Sequence, residues 1–118
     1  MYSEPDIERH GTTARYSDLV IHGNTVYLVE VPQDLDGDIT AQTQQVLASI
    51  DRLLAQAGTS NSRLLMATIY LREMADYDAM NAVWDAWLPA GSAPARACVE
   101  ARMSHPGYRL EIVVTAAR

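Results

Sequence analysis

The chain has 118 residues, 48% of them hydrophobic, and no run rich in Pro, Gly or Ser that would mark a linker, so residues 1–118 read as one domain with one core. A formal charge of −6 with nine scattered basic side chains argues against a nucleic-acid partner, because phosphate binding needs clustered positive charge. All nine basic residues are Arg, and the missing Lys excludes Schiff-base catalysis through a lysine amine, including the internal aldimine that holds pyridoxal phosphate.

The stretch from Met1 to Arg15 is polar, carrying Glu4, Asp6, Glu8 and Arg9, and reads as neither signal peptide nor membrane span. A cytoplasmic location and no membrane partner follow by default. A short first strand is expected near Ile7. Leu19-Val20-Ile21 and Val26-Tyr27-Leu28-Val29, separated by His22-Gly23-Asn24, predict a β-hairpin. From Ile39 to Ala57 apolar residues recur at three- and four-residue steps (Thr43, Val46, Leu47, Ile50, Leu53, Leu54), which predicts a helix capped by Asp38 or Asp36 and stopped at Gly58.

Leu64 to Leu71 is nearly all apolar and too short for a typical helix, so it predicts an interior strand with both faces covered. Asp76 then caps a second helix whose stripe of Tyr77, Met80, Val83, Trp84, Trp87 and Leu88 reads as core, ended near Pro89 and Gly91. Two last strands, Pro94 to Met103 and Tyr108 to Ala116, are joined by Ser104-His105-Pro106-Gly107 and predict a C-terminal hairpin. Pairing Met103 with Tyr108 puts Ala97 and Val99 on the face of Ile112 and Val114, and Arg96, Cys98 and Glu100 on the face of Glu111.

The resulting order, ββαβαββ, is an α/β (α+β) mixed sheet with both helices on one face. Its second face has no cover within one chain, so a closed homo-oligomer is expected.

Chemistry concentrates on the last two strands. Arg96 presents paired donors that match a carboxylate, and an ion pair with Glu100 or Glu111 is the plainer alternative. Glu111, a charge among apolar neighbours, has the chemistry of a general base or of an ordinary outward strand residue. In the expected register the two are separated by four residues, roughly 13 Å. Converging side chains, a bulge or a neighbouring subunit would each close that gap. Cys98 has no histidine placed to activate it and reads as a small buried or pocket-lining residue. No Cys/His pair has metal-ligand spacing, so no metal is expected.

The segments Arg15-Tyr16-Ser17-Asp18, Val26-Tyr27-Leu28, Gln42-Thr43 to Ala57-Gly58, Met80-Asn81, Pro94-Ala95-Arg96-Ala97-Cys98-Val99-Glu100 and Leu110-Glu111-Ile112 resemble, in content and order, the RidA/YjgF family from about Ile7 to Ala116. Met-Asn-x-x-Trp-x-x-Trp is most similar to the YoaB-type members of the RutC-like branch. The resemblance implies a chorismate-mutase-like fold, a homotrimer built on a central barrel of sheets, and ligand clefts between subunits. It implies hydrolysis of 2-imino acids such as 2-iminobutanoate and 2-iminopropanoate to 2-keto acids and ammonia, with no cofactor.

In that pattern Arg96 grips the substrate carboxylate, Glu111 positions or activates water, and Tyr16, Asn81 and Cys98 line the cleft. The chain departs from the pattern at Val29-Glu30, where the family has a small hydroxyl residue and a Gly whose N–H approaches the ligand. Glu30 there either adds negative charge beside Arg96, favouring a neutral or cationic ligand, or points outward at a smaller loss. A non-catalytic ligand-binding module or a stress-related holdase on the same trimer is the second reading.

Overall fold

The computed structural model describes residues 6–118; the part of the polar N-terminal stretch before Asp6 lies outside them. Six strands, β1 (Ile7–His10), β2 (Leu19–His22), β3 (Thr25–Glu30), β4 (Leu64–Leu71), β5 (Ala95–Glu100) and β6 (Leu110–Ala117), form one sheet in the order β1-β2-β3-β6-β4-β5. Two helices, α1 (Ile39–Gln56) and α2 (Tyr77–Trp87), lie on one face of it. The expected mixed sheet with two helices, including the short first strand, is the architecture found. No helix among the described residues is long and apolar enough to cross a membrane.

Local chemistry sets the ends of α1. The Asp38 side chain accepts a hydrogen bond from the Ala41 N–H, and Gly58, at φ +79°, closes the last turn. There the Gly58 and Thr59 N–H groups bond back to the Ala55 and Leu54 carbonyls, which closes the helix end. The buried stripe Val46, Leu47, Ile50, Leu53 and Leu54 packs on alternate residues of the sheet, among them Ile69 of β4 and Ile112 and Val114 of β6.

The predicted C-terminal hairpin does not form. β4 runs between β5 and β6, pairing parallel with the first and antiparallel with the second. The nine residues 101–109 link the two strands instead of a tight turn. Alternation is therefore reversed on β5: Arg96, Cys98 and Glu100 align with Ala67, Ile69 and Leu71 on the helix side, and Ala97 and Val99 face the other way.

The second helix also departs from expectation at its start. Asp76 occupies the cap position but makes no capping hydrogen bond; its carboxylate sits 3.6 Å from the Arg109 guanidinium.

The described residues leave the sheet's second face uncovered. Ile7, Tyr27, Val29, Met66 and Val99 lie on it and are 39–49% exposed, so β4 is interior in the sheet yet covered on one side only.

The loop 101–109 is held by one buried side chain. Gln42 of α1, with no exposed surface, donates from Nε2 to the carbonyls of Asp34 (3.3 Å) and Gly107 (2.9 Å) and accepts at Oε1 from the Arg109 N–H (2.8 Å). An amide can satisfy backbone donors and acceptors together, which an apolar side chain in this position could not.

Candidate functional site

Arg96 stands at the start of β5, an edge strand, on the side facing α2. Helical spacing places Tyr77, Asn81 and Trp84 on one side of α2, four and three residues apart. Arg96 Nη1 donates to Asn81 Oδ1 at 2.8 Å and Nη2 donates to the Tyr77 hydroxyl at 3.3 Å. The guanidinium carbon lies 5.5 Å from the centroid of the Trp84 ring and 5.9 Å from that of Tyr77, within range for a cation over a π face. Neither ion pair among the described residues involves Arg96, so the expected alternative of a pair with Glu100 or Glu111 is not what holds it. It faces a cavity of about 290 Å³ lined also by Asn81, Trp84, Asp85, Ala93 and Pro94.

Glu100 is engaged elsewhere, its Oε1 accepting from the Met74 N–H at 2.8 Å. Cys98, one turn of the pleat along from Arg96, packs against the core. Burial pushes its thiol above the ordinary value and the Arg96 charge only partly opposes this, so at neutral pH it is protonated and a poor nucleophile.

Glu111 pairs with Tyr70 across β4 and β6 and is therefore on the open face. It lines a cavity of about 400 Å³ with Tyr70, Arg102, Met103 and Ser104. The expectation that Arg96 and Glu111 share a face is overturned: two strand spacings, roughly 10 Å, and the thickness of the sheet separate them.

Tyr16 and Glu30 meet in a third cavity, about 350 Å³, with Ser17, Asp18, Ser104 and Tyr108. The loop before β2 is shaped by Gly11, whose φ is +64° and where an added Cβ would sit 2.0 Å from Asp18 Oδ2. Thr13 then ties the turn, its N–H donating to the Tyr16 carbonyl at 2.7 Å. Glu30 is half-buried; desolvation foremost, then the Asp18 charge, raises its pKa above the usual carboxylate range, with Arg52 opposing. Within one chain Glu30 is not beside Arg96, because β6 and β4 intervene, roughly 14 Å of sheet.

One chain thus brings Arg96, Asn81 and Cys98 together, and separately Tyr16 with Glu30, and leaves Glu111 apart from both. Tyr77 and Trp84 read as core from the sequence, yet both touch Arg96. Their offsets from Asn81, four residues before and three after, were the available signal. Arg102, Ser104 and Tyr108 had none, since loop packing brings them in, whereas Asp18 stands in the segment 15–18 already singled out.

Residues 7–118 match the family model described as endoribonuclease L-PSP. The chain is 47% identical over 111 residues to the RutC family protein YoaB of Escherichia coli, covering 94% of this chain and 97% of that one. It is 39% identical over 80 residues to a protein of Acinetobacter baylyi named 3-aminoacrylate deaminase RutC, covering 68% and 63%. A crystal structure of a YjgF family member from Neisseria meningitidis superposes with a TM-score of 0.94 at 48% identity, over 98% of both chains.

Proposed function

The chain belongs to the endoribonuclease L-PSP (YjgF/RidA) family, and on that premise we propose that it hydrolyses 2-imino acids, 2-iminobutanoate and 2-iminopropanoate among them, to 2-keto acids and ammonia as a homotrimer. The observation that carries this reading is Arg96: a guanidinium oriented by α2, with no acidic partner among the described residues, facing a cavity of small-molecule size. A relative named for deamination of 3-aminoacrylate supports the reaction class, since that enamine and its imine tautomer lose ammonia to water in the same way.

Arg96 anchors the substrate carboxylate, so that the C=N carbon is held at a fixed place. Water adds to that carbon, a proton passes to the nitrogen, and the carbinolamine expels ammonia to leave the keto group. Glu111 takes the water proton and returns it to the leaving nitrogen. No redox step or covalent enzyme intermediate is needed, and the reaction uses no cofactor.

Because Arg96 and Glu111 are on opposite faces in one chain, the site is composite: the open face of one subunit, bearing Glu111, meets the α2–β5 edge of the next. Apposition of the open faces also buries the exposed Tyr27, Val29 and Val99. Tyr16 and Cys98 complete the cleft wall.

In an assay that generates imine from an amino-acid oxidase or a dehydratase, added protein speeds imine loss, and Arg96→Ala removes the gain. Equal rates with and without the protein would refute the reading. One observation favours the second reading, a non-catalytic ligand-binding module: Glu30 and Asp18 put two carboxylates in the cavity that also holds Tyr16. That module binds a neutral or cationic ligand and turns over no imine. A holdase would instead suppress aggregation of an unfolding client in the absence of any such ligand.

A further inference from the structure

An arginine on an edge strand has several rotatable bonds, and a free one would have to be ordered each time a carboxylate binds. Here α2 does that ordering in advance. Asn81 accepts from one terminal nitrogen and Tyr77 from the other, and the charge lies against two rings. Two of the five guanidinium N–H groups are thereby occupied and three remain to meet a ligand.

Trp84 cannot yield. It is 3% exposed, and its ring lies 5.4 Å from that of Trp87, whose indole N–H donates to Asp51 of α1 at 3.0 Å. Tyr77 is more open, 37% exposed, and its hydroxyl meets the guanidinium. The rings also replace water around the cation with a weakly polar surface of low dielectric constant, which strengthens its attraction for an anion entering the cavity.

We propose that Tyr77 and Trp84 are positioning residues that set the affinity of Arg96 for a carboxylate ligand. This deepens, and rests on, the reading of Arg96 as the carboxylate anchor. The stripe of α2 thus has two duties: Met80 fills the core, and Tyr77, Asn81 and Trp84 aim a cation.

The test is binding of 2-oxobutanoate and of its uncharged analogue 2-oxobutanamide to the full chain, by calorimetry, together with KM and kcat in the imine assay. Tyr77→Phe keeps the ring and removes one acceptor. It should weaken 2-oxobutanoate binding by roughly 3–10-fold, raise KM in step, and leave kcat and amide binding unchanged. Trp84→Leu should weaken binding by roughly 2–10-fold, and Trp84→Tyr, which keeps a π face, should restore most of it. A general loss of packing would instead move both ligands alike.

If the wild type prefers the carboxylate and neither Tyr77→Phe nor Trp84→Leu changes that preference, the positioning role is refuted while the anchor stands. If Trp84→Leu does not fold, Tyr77→Phe alone decides. A wild type that binds the amide as well as the carboxylate overturns the anchor itself, and the positioning role with it.

Discussion

Arg96 and Glu111 occupy opposite faces of the same sheet, with β4 between their strands. A site that uses both must draw them from two chains, and this has a direct consequence for mixtures. Arg96→Ala and Glu111→Gln, each inactive alone, should complement when subunits are exchanged. In a cyclic trimer with random assembly each cleft has about one chance in four of holding both wild-type residues, so about a quarter of the wild-type rate is expected. No recovery, after mass spectrometry has shown mixed trimers, would contradict the composite site.

Glu111→Gln keeps size and hydrogen bonding but removes the base. The expected loss in kcat is about 10²–10⁴-fold with KM within a few-fold of wild type, as removal of a general base gives. Steady-state rates on 2-iminopropanoate read this directly; an equal fall in affinity would assign Glu111 to binding instead.

The C-terminal strands show where sequence reading reaches its limit. The spacing of Val46, Leu47, Ile50 and Leu54, the Asp38 cap and the Gly58 stop are local signals, and α1 follows them. The β2–β3 turn and β4 are equally local. Pairing of β5 with β4 rather than β6 is not: nothing in residues 94–116 records a strand thirty residues earlier sliding between them. Placing Ala97 and Val99 on the face of Ile112 and Val114 failed for a related reason. The sheet has apolar side chains on both faces, and on this edge strand the helix side carries Arg96 because Asn81 and Tyr77 satisfy it. Alternation says which residues share a face but not which face the helices cover.

Glu30 gives a pH prediction. Its carboxyl titrates above the usual 4.5 chiefly because burial disfavours the anion. The folded chain therefore holds this proton more tightly than the unfolded chain, and stability falls as pH rises from about 4.5 through the folded-state value; above it the cost is fully present. Glu30→Gln should raise Tm at pH 7 by roughly 1–3 °C, a modest figure because the group is only half-buried and screened by solvent. The gain should shrink below pH 4.5. A constant difference across pH 4 to 8, measured by calorimetry, would show that ionisation is not its source.

Val113 sits at the middle of the open face, flanked by Val29 of β3 and Thr68 of β4. A charge there, Val113→Asp, should split the assembly while the helix-side core keeps each chain folded. Sedimentation should then give the mass of one chain with helical circular dichroism intact, and imine turnover should fall with the trimer. A trimer that survives the change would place the interface elsewhere.

Gln42→Ala removes a side chain that meets the carbonyls of Asp34 and Gly107 and the N–H of Arg109 at once. Leaving part-buried backbone groups unpaired, with a cavity where the buried side chain stood, should cost about 2–4 kcal/mol, and urea denaturation should show it. Gln42→Glu, which keeps the acceptor and loses the donor, should still destabilise. Its tolerance would mean that the Gly107 contact contributes little.

The Gln42 clamp also bears on how a ligand would be received. Ser104 and Tyr108, which line the cavity with Tyr16 and Glu30, ride on the loop that this amide pins to α1. Their freedom is given up when the chain folds and not when a molecule arrives, so occupancy should bring little further ordering. Amide exchange of residues 101–109 should then be nearly as slow in the empty protein as in the filled one, and association should run at the pace of encounter with no closing step to wait for.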